Sequence, residues 1–196
     1  DPLSSFGDFI AISGEVDEQC AKLIQREVSD GIIAFDYTLK ALEILKQKKG
    51  GKFIILKGNS ELSFNDIEYK EICGIALSQK CNSELVNDNY FKNIVTRNNN
   101  ISDMAILDLT IATITLKYTP SNSISIAYHG QVIGVGAGQQ NRVDCIKLAG
   151  NKSNVYHLRK HPKCLKLLEL FKSGVKRQDK VNAIIKYINS DFNNTE

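Results

Sequence analysis

Residues 6–56 read FGDFIAISGEVDEQCAKLIQREVSDGIIAFDYTLKALEILKQKKGGKFIIL, and two alternating periodicities in this stretch decide the fold class. FGDFIAI at 6–12 is apolar and β-prone after a turn-like start. Across 16–30, Val16, Cys20, Ile24 and Val28 recur at helical spacing, which predicts a helix that stops at Ser29, Asp30 and Gly31. The run IIA at 32–34 then begins a second short strand. In YTLKALEILKQKKGG at 37–51, Leu39, Leu42 and Leu45 form a stripe to be buried, lysines gather near the carboxyl end and two glycines close the helix. KFIIL at 52–56 is the third strand. Strand, helix, strand, helix, strand in so short a span predicts an α/β layer with parallel pairing.

Further along, residues 58–103 are polar and rich in asparagine, with short apolar segments at Ile72–Leu77 and Phe91–Val95 that read as edge strands or loops. From Asp103 to Tyr118, Met104, Leu107, Ile111 and Ile114 predict a buried helix, softened by three threonines. Pro120 sets a turn, SISIAY at 123–128 alternates as a strand, and His129-Gly130 reads as a hairpin turn before QVIGVGAG. The expected organisation is a partial α/β unit with its polar connection over 1–99, and a second partial unit over 100–196.

The chain has 196 residues with 42% hydrophobic and 24% charged side chains, the balance of an ordinary folded protein. Met104–Leu116, its longest mostly apolar segment, is too short to span a bilayer and is broken by Asp108, so no membrane association is expected. The opening DPLSSFGDF has neither the basic region nor the apolar run of a signal peptide and lacks an initiator Met. The five cysteines at 20, 73, 81, 145 and 164 are widely spaced without a CxxC, which predicts reduced cytosolic thiols and no zinc site.

Net charge is +3, but residues 142–180 carry eleven Lys or Arg against Asp144, Glu169 and Asp179, a local balance of +8. That segment suits an anionic ligand, such as a phosphorylated metabolite, or a solvated basic face. It lacks the arginine clustering and interleaved aromatics of sequence-reading modules, so a nucleic-acid partner is not expected.

The segment richest in candidate chemistry is KYTPSNSISIAYHGQVIGVGAGQQNRVDCIK at 117–147. Gly134, Gly136 and Gly138 alternate and are followed by Asn141 and Arg142. Glycines at this spacing admit a ligand or a neighbouring strand close to the backbone, or else meet a packing need of a tight β turn. Arg142 supplies a charged fork for phosphate, carboxylate or a polarised carbonyl. The pattern is neither a phosphate loop nor a dinucleotide fingerprint, because it lacks GK[ST] and has GxGxG order. Asn122 either caps a turn or presents its amide to a heterocycle. Asp30 either caps a turn or stands where open sheets receive ligands, at the carboxyl ends of strands. Gly7 and Asp8 are equally open, and His157, Arg159 and His161 read as surface groups.

SSFGDFIA at 4–11, REVSDGIIA at 26–34, ALEILKQKK at 41–49, LSQK at 77–80, KYTPSNSI at 117–124, GQVIGVGAGQQNRVDCIKLAG at 130–150, LRKHP at 158–162 and FKSGVKRQDKVNAI at 171–184 resemble the AICAR transformylase region of the AICAR transformylase/IMP cyclohydrolase family. The resemblance covers nearly the whole chain, and the SNS plus VGAGQQ(N)R combination is specific. It implies a three-layer, cytidine deaminase-like α/β architecture without the deaminase zinc. It implies formyl transfer from 10-formyltetrahydrofolate to the 5-amino group of AICAR in purine biosynthesis, followed in the family by ring closure to IMP by a cyclohydrolase, in a cytosolic homodimer with active sites near the subunit interface.

By the same resemblance, Gly7 and Asp30 lie around the nucleotide, and Asn122 lies near the reacting amine and carboxamide as the catalytic residue of this chain. Arg142 and Val143 stand where the nucleotide and folate pockets meet, Val143 on the folate side, and Thr119 and Ser121 lie in a segment associated with potassium. The family's catalytic Lys-His pair stands upstream of SSFGDF, and its folate and phosphate contacts near the carboxyl end lie beyond Glu196. The isolated 196-residue chain is therefore expected to have little or no transformylase activity, as a central fragment that binds nucleotide or dimerises.

Overall fold

The structure is a computed structural model that describes residues 7–59, 61 and 65–190. The chain divides into two compact units, one ending at Ser83 and one beginning at Glu84.

The first unit alternates β1 (Phe9–Val16), α1 (Glu18–Arg26), β2 (Gly31–Tyr37), α2 (Leu39–Gln47) and β3 (Ile54–Lys57). The strands lie in the order β1-β2-β3 and both pairings are parallel, as the alternation predicts. The boundaries differ. Val16, expected inside the helix, ends β1 and is fully buried. Asp17 is the reason: its carboxylate accepts from the Cys20 amide at 2.7 Å, and this N-cap, one residue past the valine, starts α1 at Glu18. The helix closes at Arg26, short of Ser29, because Glu27 is already extended.

Ile10, Ile12, Ile32, Ala34 and Ile55 point to one face of the sheet, where Ala21 and Ile24 of α1 and Ala41 and Leu45 of α2 complete the core. The other face carries Phe9, Ile33, Phe35, Ile54 and Leu56, aligned by the parallel register and all exposed. Parallel sheets ordinarily bury both faces, so this surface is apolar out of proportion to its exposure.

Lys48 follows α2 and is buried, with its ammonium donating to the carbonyls of Ile24 at 3.0 Å and of Glu27. It adds a charged donor to carbonyls at the carboxyl end of α1, where the Ile24 carbonyl also accepts from the Glu27 amide at 3.1 Å. Burial pushes its ammonium below the ordinary lysine value. The charged form thus costs the fold, and that cost is relieved as pH rises through the folded value towards 10.5. Lys48→Met keeps the stem but removes the charged donor from both carbonyls, so denaturant unfolding is expected to show a loss of about 1–2 kcal/mol at neutral pH. The variant is also expected to lose the alkaline rise. A midpoint and a pH slope equal to wild type would refute this role for Lys48.

After β3, the polar stretch contains a second sheet, the antiparallel hairpin β4 (Ile67–Ile72) and β5 (Ile75–Lys80). Cys73 and Gly74 form its turn with φ of 51° and 79°. All twelve strand residues are exposed. In the second unit, Phe91 closes a 3₁₀ turn over Asp88–Phe91, and residues 92–95 form no strand.

That unit continues with α3 (Asp103–Lys117), the hairpin β6 (Ser123–Tyr128) and β7 (Gln131–Ala137), then α4 (Arg142–Leu158), α5 (Pro162–Glu169) and α6 (Arg177–Asn189). His129 and Gly130 make the predicted turn with φ of 52° and 75°, and Asp108 of α3 accepts from their amides at 3.1 and 2.7 Å. The expectation of a buried α3 needs correction. The helix packs on the hairpin, yet none of its residues is fully buried, and among the described residues Met104, Leu107 and Ile114 stay exposed. Among the described residues, no helix is long and apolar enough to cross a membrane.

Candidate functional site

The geometry around Asn122 begins with two glycines. Gly134 and Gly136 alternate on one face of β7, and a Cβ on either would fall on a carbonyl of α4, that of Ala149 or of Cys145 respectively. The close approach they allow is thus made by a helix, not by a ligand or another strand. Gly138, at φ +71°, has open space beside it and serves the exit from β7.

Helix α4 is started by a side-chain cap. Asn141 Oδ1 accepts from the Asp144 amide at 2.9 Å, and Asn141 Nδ2 donates back to the Asp144 carboxylate at 2.6 Å. The Asn141 hydrogen bond, with a smaller contribution from Lys147, holds the Asp144 carboxyl below its ordinary value. This cap fixes Arg142 and Val143 in the first turn, both exposed. Anions are favoured there by the unpaired amides and the helix dipole.

Asn122 precedes β6 and is half-buried. It does not cap a turn. Its Oδ1 accepts from Arg142 Nη2 and its Nδ2 donates to the Gln140 carbonyl, both at 3.4 Å. Its main-chain carbonyl accepts from the Cys145 thiol at 3.1 Å. Arg142 forms no ion pair among the described residues, so its charge is not neutralised by a carboxylate. Sequence reasoning brought up Asn122 and Arg142 but missed Gln140 and Cys145. The available signal for Cys145 was its place three residues after Arg142, on the same face of one helix.

In the first unit, Gly7 has φ +82° and lies against Asp30, with a Cβ on it coming 3.5 Å from Asp30 Oδ2. The Asp30 carboxylate pairs with Lys49. Asp30 immediately precedes β2 and its amide bonds to Asp8 ahead of β1. It therefore stands at the amino ends of the parallel strands, and the carboxyl-end crevice rule does not apply to it. Nor does it end the first helix.

Thr119 donates its hydroxyl proton to the Thr115 carbonyl at 2.7 Å, which leaves its lone pairs available, and Ser121 is exposed nearby in sequence. Both carry neutral hydroxyl oxygens. The histidines lie elsewhere. His157, in the last turn of α4, packs edge-on against Tyr128 at 5.2 Å, Arg159 lies over Tyr156, and His161 caps α5.

The exposed Arg142 guanidinium, bonded to the half-buried Asn122 amide, thus stands at the start of a helix seated on a glycine-bearing hairpin in an α/β protein. The family model for the AICARFT/IMPCHase bienzyme matches residues 1–152, and the chain belongs to that family. The bifunctional purine biosynthesis protein PurH of Acetivibrio thermocellus is 36% identical over 150 residues, which cover 76% of this chain and 29% of that protein. PurH of Elusimicrobium minutum is 34% identical over 166 residues, 84% of this chain and 31% of the relative. PurH of Prochlorococcus marinus is 34% identical over 149 residues, 76% and 28%. The chain thus spans less than a third of the length of these relatives.

Proposed function

We propose that this chain supplies part of a formyl-transfer site, in which the 5-amino group of AICAR takes the formyl group of 10-formyltetrahydrofolate. The observation that carries the reading, beside family membership, is the Arg142 guanidinium held at the Asn122 amide without a carboxylate partner among the described residues. In the reaction the amine nitrogen bonds to the formyl carbon, the bond from that carbon to folate N10 breaks, and a proton leaves the amine while N10 gains one. An aromatic amine is a weak nucleophile, so placement and a proton acceptor supply much of the rate.

Asn122 offers one acceptor and two donors, the complement of the carboxamide next to the reacting amine. Pairing with that carboxamide would fix the amine, which is the catalytic role assigned to Asn122. Arg142 binds phosphate or the carboxamide oxygen with a charge-assisted bond. Val143, 59% exposed beside it, offers an apolar contact to the folate ring. Gly7 and Asp30 form a further nucleotide-contact candidate within the first unit. Thr119 and Ser121 are proposed to offer oxygens to a potassium ion, which would act by ordering the segment ahead of Asn122. None of the three histidines is assigned the proton-acceptor role.

The proposed three-layer, deaminase-like architecture would set a second helical layer over the bare apolar face of the β1-β2-β3 sheet, and a homodimer is the proposed working form. Sedimentation velocity over a concentration series checks the latter, and a monomer at every concentration would count against it.

Titration calorimetry of the chain with AICAR tests the site. Binding is expected, and Arg142→Ala and Asn122→Ala are each expected to weaken it about tenfold or more. No binding by the wild-type chain, or unchanged affinity in both variants, would remove this assignment.

A further inference from the structure

Helix α4 grips Asn122 at two points. Arg142 reaches the side chain at 3.4 Å, and Cys145, one turn later on the same helix face, reaches the main-chain carbonyl at 3.1 Å. The first β6–β7 ladder pair is Ser123 with Ala137, so Asn122 lies just outside the strand pairing that orders its neighbours. The Cys145 side chain is fully buried and cannot meet a ligand. Its thiol comes within reach because Gly136 has no Cβ where the Cys145 carbonyl sits.

We propose that Cys145 is a positioning residue for Asn122. Its thiol donates to the Asn122 carbonyl and sets the backbone from which the amide is presented to the ligand, while Arg142 sets the amide's rotation. Gly136 is the condition for both contacts, since it sets the distance between β7 and α4. A thiol is a weak donor, so the expected effect is modest in size and specific in pattern. The proposal deepens the assignment of Asn122 to AICAR binding and rests on it for its functional consequence.

The test is a double-mutant cycle read by AICAR calorimetry on the 196-residue chain. Cys145→Ala is expected to weaken AICAR binding about three- to fivefold, and Cys145→Ser, which restores a hydroxyl donor, to return to within about twofold of wild type. In the Asn122→Ala background, Cys145→Ala is expected to change affinity less than about 1.5-fold, because the group it positions is gone. A purely structural role would give the same loss in both backgrounds, and that result overturns the proposal, as does wild-type affinity in Cys145→Ala. A ligand-free arm separates this idea from the AICAR assignment. The Asn122 side-chain amide resonances are expected to shift in Cys145→Ala and to stay near the wild-type position in Cys145→Ser. If AICAR does not bind but those resonances shift as described, the AICAR assignment fails and the positioning role stands. Unshifted resonances in Cys145→Ala overturn the positioning role whatever the ligand does.

Discussion

Gly136→Val is expected to destabilise the unit that begins at Glu84 by about 3 kcal/mol or more, at the upper end for overpacking. A Cβ at this position lands on the Cys145 carbonyl and within 3.0 Å of the Ala149 amide, both backbone atoms of α4 that no rotamer change can move. Relief requires the helix to lift from β7, which would also draw Cys145 and Arg142 away from Asn122. Hydrogen exchange is the direct measurement: amides of β6, β7 and α4 are expected to exchange faster, and those of β1 and β2 to keep their wild-type rates. Unchanged protection in the hairpin would show that the strand and helix are not locked by the glycine.

Leu45→Ala is expected to cost the first unit about 3 kcal/mol. Leu45 is fully exposed to its neighbours and not at all to solvent, at 0% exposure, in a core that also holds Ile24, Ile32 and Phe53. The deletion leaves a cavity bounded by two helices and a sheet already pinned by Lys48, so collapse is restricted and the cost should sit in the middle of the usual range. Urea unfolding followed by far-ultraviolet circular dichroism, with exchange in β1 and β2 as the local probe, checks the value. A loss below about 1 kcal/mol would mean that the core relaxes around the deletion.

The parallel unit was legible because period-2 and period-3.6 patterns alternate between residues 6 and 56, although Leu39 of the stripe expected to be buried is exposed at the start of α2. Its boundaries were less so. Val16 satisfies both patterns, and only the Asp17 cap decides between them. The β4–β5 hairpin escaped because neither of its faces is buried, so its residues need not alternate, and Cys73-Gly74 is not one of the common turn pairs. Asn122 and Arg142 were visible as residue types, but their contact depends on two glycines that seat a helix on a strand. Helical approach to GVG and strand approach to GVG leave the same letters in the chain. Asp30 was misplaced by a rule about strand ends, applied before the end of the preceding helix was known.

The sequential layout of the second unit bears on how the molecule folds. Asp108 clamps a turn at residues 129 and 130, and Asn122, Arg142 and Cys145 meet across a single hairpin and the helix that follows it. The β6–β7 hairpin beneath them is a contact of short sequence separation, with Tyr128 pairing with Gln131, the kind formed early because little loop entropy opposes it. Each pairing of the parallel β1-β2-β3 sheet closes a crossover of 21 to 23 residues, about as much chain as the Asp108, Arg142 and Cys145 contacts close. On this basis the β6–β7 hairpin would form ahead of the parallel sheet during refolding, whereas the Asn122–Arg142 contact, which closes as much chain as the parallel pairings, would wait for α4 to dock on the finished hairpin.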